Sequence, residues 1–124
     1  MIVIRRTAFI LFLGFLLFAV PARPAEAVRA ITVHAKQYAF LPAEITVYKG
    51  EPVKLILISD DVGHGLAVMG LGISADMPKG QPVEVTVTPE DDGDFPGRCS
   101  RFCGAGHREM KFVVHVVDKP QPPG

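Results

Sequence analysis

From Val28 onward the chain is written in short apolar runs, and none of them repeats at the 3.6-residue period of a helix. Glu44-Ile45-Thr46-Val47-Tyr48 alternates strictly and stops at Lys49-Gly50. Val83-Glu84-Val85-Thr86-Val87-Thr88 alternates in the same way and stops at Pro89. Val28 to Ala35 alternates in part and is rich in strand-favouring residues. Val53 to Ile58, broken by Lys54, and Phe112 to Val117, broken by His115, are otherwise apolar, the pattern of strands buried on both faces. Turn residues separate these runs at short intervals, so the expected fold is all-β: a sandwich or barrel of Greek-key type.

The front of the chain reads differently. Met1-Ile2-Val3-Ile4-Arg5-Arg6 leads into an apolar stretch from Thr7 to Val20, then Pro21 to Ala27 as PARPAEA. A basic start, a short apolar stretch and an Ala-x-Ala end at Ala25-Glu26-Ala27 make an export signal. The stretch falls short of the roughly 20 residues that span a bilayer. Cleavage after Ala27 is therefore expected, with an uncleaved anchor as the alternative. Either places the rest in the periplasm or at the outer face of the cytoplasmic membrane.

With 124 residues the chain has room for one domain. The expected plan is a signal over residues 1–27, a β-domain over 28–118, and a loose proline-rich tail over 119–124. After residue 27, ten basic residues face twelve acidic ones, which gives no surplus for binding nucleic acid. No nucleophile–base grouping or phosphate loop is legible, so no catalysis is expected of the chain alone.

The chemistry is concentrated between Cys99 and Met110, which read CSRFCGAGHREM. Two thiols, an imidazole and a thioether in twelve residues form a soft donor set that favours copper. Asp60-Asp61-Val62-Gly63-His64-Gly65 follows the run Val53 to Ile58 and adds a second imidazole. The candidate ligands are His64, Cys99, Cys103, His107 and Met110. A single-copper site of two His, one Cys and a weak Met would leave one thiol unused. Two thiolates bridging two ions would use both, with one His on each ion, Met110 on one and a backbone carbonyl between the cysteines on the other. Gly104 and Gly106 let the loop turn between Cys103 and His107. A disulfide, a zinc site of the two cysteines and two histidines, and a mononuclear copper site stay open on these residues alone.

His34 and His115 lie inside strand patterns and are expected to serve packing or the surface. Met69 and Met77 are expected to fill the core, where Met suits irregular gaps. Glu90-Asp91-Asp92-Gly93-Asp94 reads as a solvated hairpin turn. Arg98, Arg101, Arg108 and Lys111 form a basic set around the ligand loop.

CSRFCGAGHREM resembles the binuclear copper-A loop of cytochrome c oxidase subunit II and of nitrous oxide reductase. Those families carry Cys-x-x-x-Cys-x-x-x-His-x-x-Met, and Asp61-Val62-Gly63-His64 is similar to the turn that holds their earlier His. Phe40 to Gly50, FLPAEITVYKG, resembles the opening pattern of cupredoxins. The resemblance covers about residues 31–117.

It implies a cupredoxin-like fold and two copper ions bridged by Cys99 and Cys103. By the same resemblance His64 and His107 terminate the pair, Met110 is the axial thioether and the main-chain carbonyl of Arg101 is the other weak ligand. The implied role is one-electron transfer, with a c-type cytochrome as donor and a terminal oxidase or reductase as acceptor. A copper carrier or insertion factor and an integral subunit of a cytochrome c oxidase are the rival roles. Arg101 stands where the oxidase subunits carry Glu, and only its carbonyl matches. The chain has no Trp, and Gln37-Tyr38-Ala39-Phe40 takes the place of the tryptophan-rich segment of the oxidases. With neither the two-helix membrane hairpin nor the propeller domain of those families, a small stand-alone copper-A protein is expected.

Overall fold

The computed structural model describes residues 18–22 and 27–123. The expected signal lies largely outside the described residues, as does its cleavage motif up to Glu26. No helix among the described residues is long and apolar enough to cross a membrane.

Among the described residues, nine strands build two facing sheets. They are β1 (Arg29–Lys36), β2 (Ala39–Leu41), β3 (Glu44–Tyr48), β4 (Val53–Ser59) and β5 (His64–Val68), then β6 (Ile73–Met77), β7 (Val83–Val87), β8 (Gly93–Arg98) and β9 (Lys111–Val117). One sheet runs β2-β1-β4-β7 and the other β3-β9-β8-β5-β6. β1 lies parallel to β4 and β3 parallel to β9, while the remaining pairs are antiparallel. The parallel pairs join strands far apart in sequence, which gives the expected Greek-key sandwich.

The alternation seen in sequence becomes the inward face of each strand. Ile45 and Val47 of β3, and Leu55 and Leu57 of β4, enter the core with Phe112, Val114 and Val116 of β9. Phe40 and Phe112 meet edge to face, with ring centroids 5.6 Å apart.

Four expectations are corrected. β4 and β9 are not buried on both faces: Lys54, Ile56 and Ile58, and Val113 and His115, are only half covered. Each sheet has one core face and one face that meets solvent, so the second apolar row has no layer to cover it. The acidic stretch 90–94 is not a hairpin turn: β7 and β8 lie in different sheets, so it crosses between layers, and Gly93-Asp94 already belong to β8. Met77 is in the core as expected, but Met69 is 72% exposed in the short 3-10 turn after β5. β5 and β6, unmarked by alternation, form an outer hairpin of the second sheet.

Candidate metal centre

The candidate ligands come together at one end of the sandwich, His64 from the start of β5 just after the 60–63 turn and the others from the 99–110 loop between β8 and β9. The loop closes as an extension of the β8–β9 ladder, since Cys99 N donates to Met110 O at 3.4 Å. Ser100 N donates to Gly65 O at 3.2 Å and so ties the loop to the strand that opens with His64. Gly65 is needed there, because a Cβ would collide with the Ser100 side chain.

His64 is fully buried, and its orientation is set from behind. Its Nε2 lies 2.7 Å from Asp61 Oδ1. Asp61 also accepts from Gln37 N at 2.7 Å and Val62 N at 2.6 Å. Burial opposes ionisation of Asp61, but the hydrogen bonds from Gln37 N, His64 and Val62 N outweigh it and hold the carboxyl below its usual range. The carboxylate assigns the ring proton to Nε2. It leaves Nδ1 as a free donor atom, which faces Cys99 Sγ at 3.9 Å.

The two cysteines are free thiols with Sγ atoms 3.7 Å apart. Cys103 Sγ lies 3.8 Å from His107 Nδ1 and 3.4 Å from Met110 Sδ. Cys99 Sγ lies 3.1 Å from the carbonyl oxygen of Arg101. Cys99, Cys103 and Met110 are buried, whereas His107 is partly exposed in a 3-10 turn. Burial, then the hydrogen bond and charge of Cys99, push the Cys103 thiol above its ordinary range. All six candidate donors of the sequence therefore meet in one place.

Their arrangement is elongated. The donor atoms of His64, Cys99 and Cys103 all lie within 4.8 Å of one another, and His107 stands outside that group, next to Cys103. Sulfur and nitrogen ligands of one first-row ion, at about 2.3 and 2.0 Å from it, stand roughly 3.5–3.9 Å apart for angles near 110–130°. The sulfur–nitrogen separations of 3.8 and 3.9 Å fit that spacing. Thiolate, imidazole, thioether and carbonyl together suit copper, whereas a zinc site would leave Met110 without a role.

Three supporting residues carry no ligand pattern in the sequence. Gln37 Nε2 donates to Cys103 O at 2.7 Å. Tyr38 lies on the loop where Gly104 and Gly106 leave room, because a Cβ at either would collide with it. Gly104 does turn the chain, with φ +134°, but Gly106 is required by the ring rather than by backbone conformation. Asp61 had one legible signal, its place three residues before a candidate ligand. His34 and His115 stay at the surface, bonded to Asp60 at 2.8 Å and Asp94 at 2.6 Å.

Residues 18–117 match the family model described as cytochrome c oxidase subunit II, periplasmic domain. The chain belongs to that family. Among solved structures, the periplasmic domain of subunit II of cytochrome oxidase from Bradyrhizobium japonicum superposes with a TM-score of 0.67 at 22% identity, over 73% of this chain and 84% of that one. A chain of a heme-copper terminal oxidase dimer gives 0.65 at 24% identity, over 72% and 65%. The mixed-disulfide intermediate between thioredoxin-like TlpAs and subunit II of cytochrome c oxidase gives 0.63 at 20%, over 80% and 87%. The subunit II fold is thus shared, and it is the cupredoxin-like sandwich expected. Membership makes this chain a copper-binding electron-transfer domain of the subunit II type, in a family described as periplasmic.

Proposed function

We propose that the centre holds two copper ions and passes single electrons. Cys99 and Cys103 would be the shared ligands, His64 and His107 the terminal ones, and Met110 Sδ and the Arg101 carbonyl the weak ones. The observation that carries this reading is the elongated donor set: an imidazole nitrogen 3.9 Å from one sulfur, a second 3.8 Å from the other, and 3.7 Å between the sulfurs. One ion would leave a thiol or an imidazole idle. Bound copper supplies a one-electron couple whose charge change is shared over the pair.

The protein's own part is to keep the donors still. Asp61 fixes the ring of His64, Gln37 holds the Cys103 carbonyl, and Tyr38 pins the loop at its glycines. Burial of both thiols and Met110 excludes water and so tunes the potential. In this reading the domain is exported behind a signal or anchor in residues 1–27. It takes electrons from a c-type cytochrome and gives them to a terminal oxidase or reductase. Copper counted per chain after loading and desalting tests the reading. Two per chain is expected, and a reproducible value of one would select a mononuclear site.

A further inference from the structure

The charge of this domain is unevenly spread. Between Arg98 and Lys111 there are four cations and one carboxylate, Glu109, while the rest of residues 28–124 carries six cations and eleven carboxylates. None of Arg98, Arg101, Arg108 and Lys111 takes part in an ion pair among the described residues. Arg98 and Lys111 face each other across the β8–β9 register. With Arg108 they rim a cleft of about 210 Å³ whose floor includes Cys99 and His107. The same two cations border a second cleft, of about 360 Å³, beside the exposed Met69. Arg101 extends the set to the other side of the loop, where its guanidinium lies over Gly63.

An exposed apolar side chain on the same loop adjoins the cleft through His107. Phe102, between the two cysteines, is 78% exposed, and its ring lies 5.7 Å from the ring of His107. His107 Nδ1 in turn faces Cys103 Sγ. An exposed aromatic on the same loop as unpaired cations is the anatomy of a docking surface, with the ring as anchor and the charges steering approach.

We propose that this face docks the acid-rimmed face of a soluble redox protein. The partner is a protein because the exposed ring leads directly to a candidate ligand, a route a lipid surface would not use. The choice of a redox protein as occupant rests on the electron-transfer reading, while the charge and the exposed ring are there with or without metal.

The test is an amide-resolved NMR titration of the full chain, with and without added copper, against a c-type cytochrome of net negative charge. Expected are shifts confined to Phe102, His107, Arg108, Lys111 and their neighbours. Affinity should fall at least about tenfold between low and physiological salt, where the Debye length shortens to about 8 Å. Arg108→Glu and Lys111→Glu should each weaken binding with the spectrum otherwise intact, and Lys49→Glu, beside Val117 at the opposite end of β9 from Lys111, should not. Equal or tighter binding of a lysine-rimmed cytochrome at this face would overturn the proposal. So would sedimentation with anionic phosphatidylglycerol vesicles while the acidic cytochrome leaves the spectrum unmoved. Shifts that persist in a chain unable to hold copper would sink the metal reading and leave the surface standing. Electron exchange with no preference for the acidic partner would do the reverse.

Discussion

His64 Nε2 and Asp61 Oδ1 stand 2.7 Å apart, and that one contact decides which nitrogen of a fully buried ring is left for a metal. Asp61→Ala removes the acceptor and frees the ring to turn or change tautomer. Copper affinity should fall about 10–100-fold, the usual cost of losing such a supporting partner. Competition against a calibrated chelator measures it, and unchanged affinity would mean that Asp61 serves only the turn.

Copper uptake should release protons. Burial and the neighbouring Cys99 hold the Cys103 thiol above the ordinary thiol range, so the metal-free protein keeps it protonated at neutral pH. A metal binds the thiolate, so affinity for Cu(I) should climb as pH rises through the neutral range. Titration in weakly buffered solution reads both quantities. Affinity independent of pH would argue against thiolate ligation.

Gly106 and Tyr38 should be energetically coupled. A Cβ at Gly106 meets the near edge of the Tyr38 ring, which cannot simply swing its tip aside. Gly106→Ala should cost about 1–3 kcal/mol, the range for overpacking. In a Tyr38→Ala background the same change should cost clearly less, by a coupling of about 0.5–3 kcal/mol. Urea unfolding of the four proteins checks this, and strictly additive effects would contradict the contact.

His115 contributes stability that depends on pH. The hydrogen bond it donates to Asp94 raises its pKa above 6.5, against a weaker opposing effect of burial, with further help from the charges of Asp94 and Glu44. A raised folded value means that the contribution is full below the unfolded pKa and is lost as pH rises through the folded one. His115→Gln should therefore destabilise the domain at about pH 6 and matter little at about pH 9. Thermal unfolding at both values checks the sign, and a larger effect at the higher pH would reverse the assignment.

The ligand loop was legible because four of its five donors are side chains with a distinctive spacing, and β3 and β7 because each has one wet face. β5 was hidden for a physical reason. His64-Gly65-Leu66-Ala67-Val68 is buried throughout and includes two small residues that make room for Ser100 and β8, so it has no alternation to show. β6 hides its two core residues, Ile73 and Met77, at either end of a polar middle. The acidic stretch 90–94 announced a turn, but a turn within a sheet and a crossing between sheets share one composition. Partners of β7 and β8 decide between them, and those lie far away in sequence. Tyr38 could not be placed over Gly104 and Gly106 for the same reason, since some 66 residues separate Gln37 from the loop carbonyl it holds.

The central claim is that two sulfurs 3.7 Å apart are shared by two metal ions rather than serving one. Electron paramagnetic resonance of the copper-loaded, partly oxidised protein addresses it most directly. The account predicts a hyperfine pattern from one unpaired electron divided equally between two copper nuclei. A pattern from a single copper nucleus, at full copper loading, would contradict it.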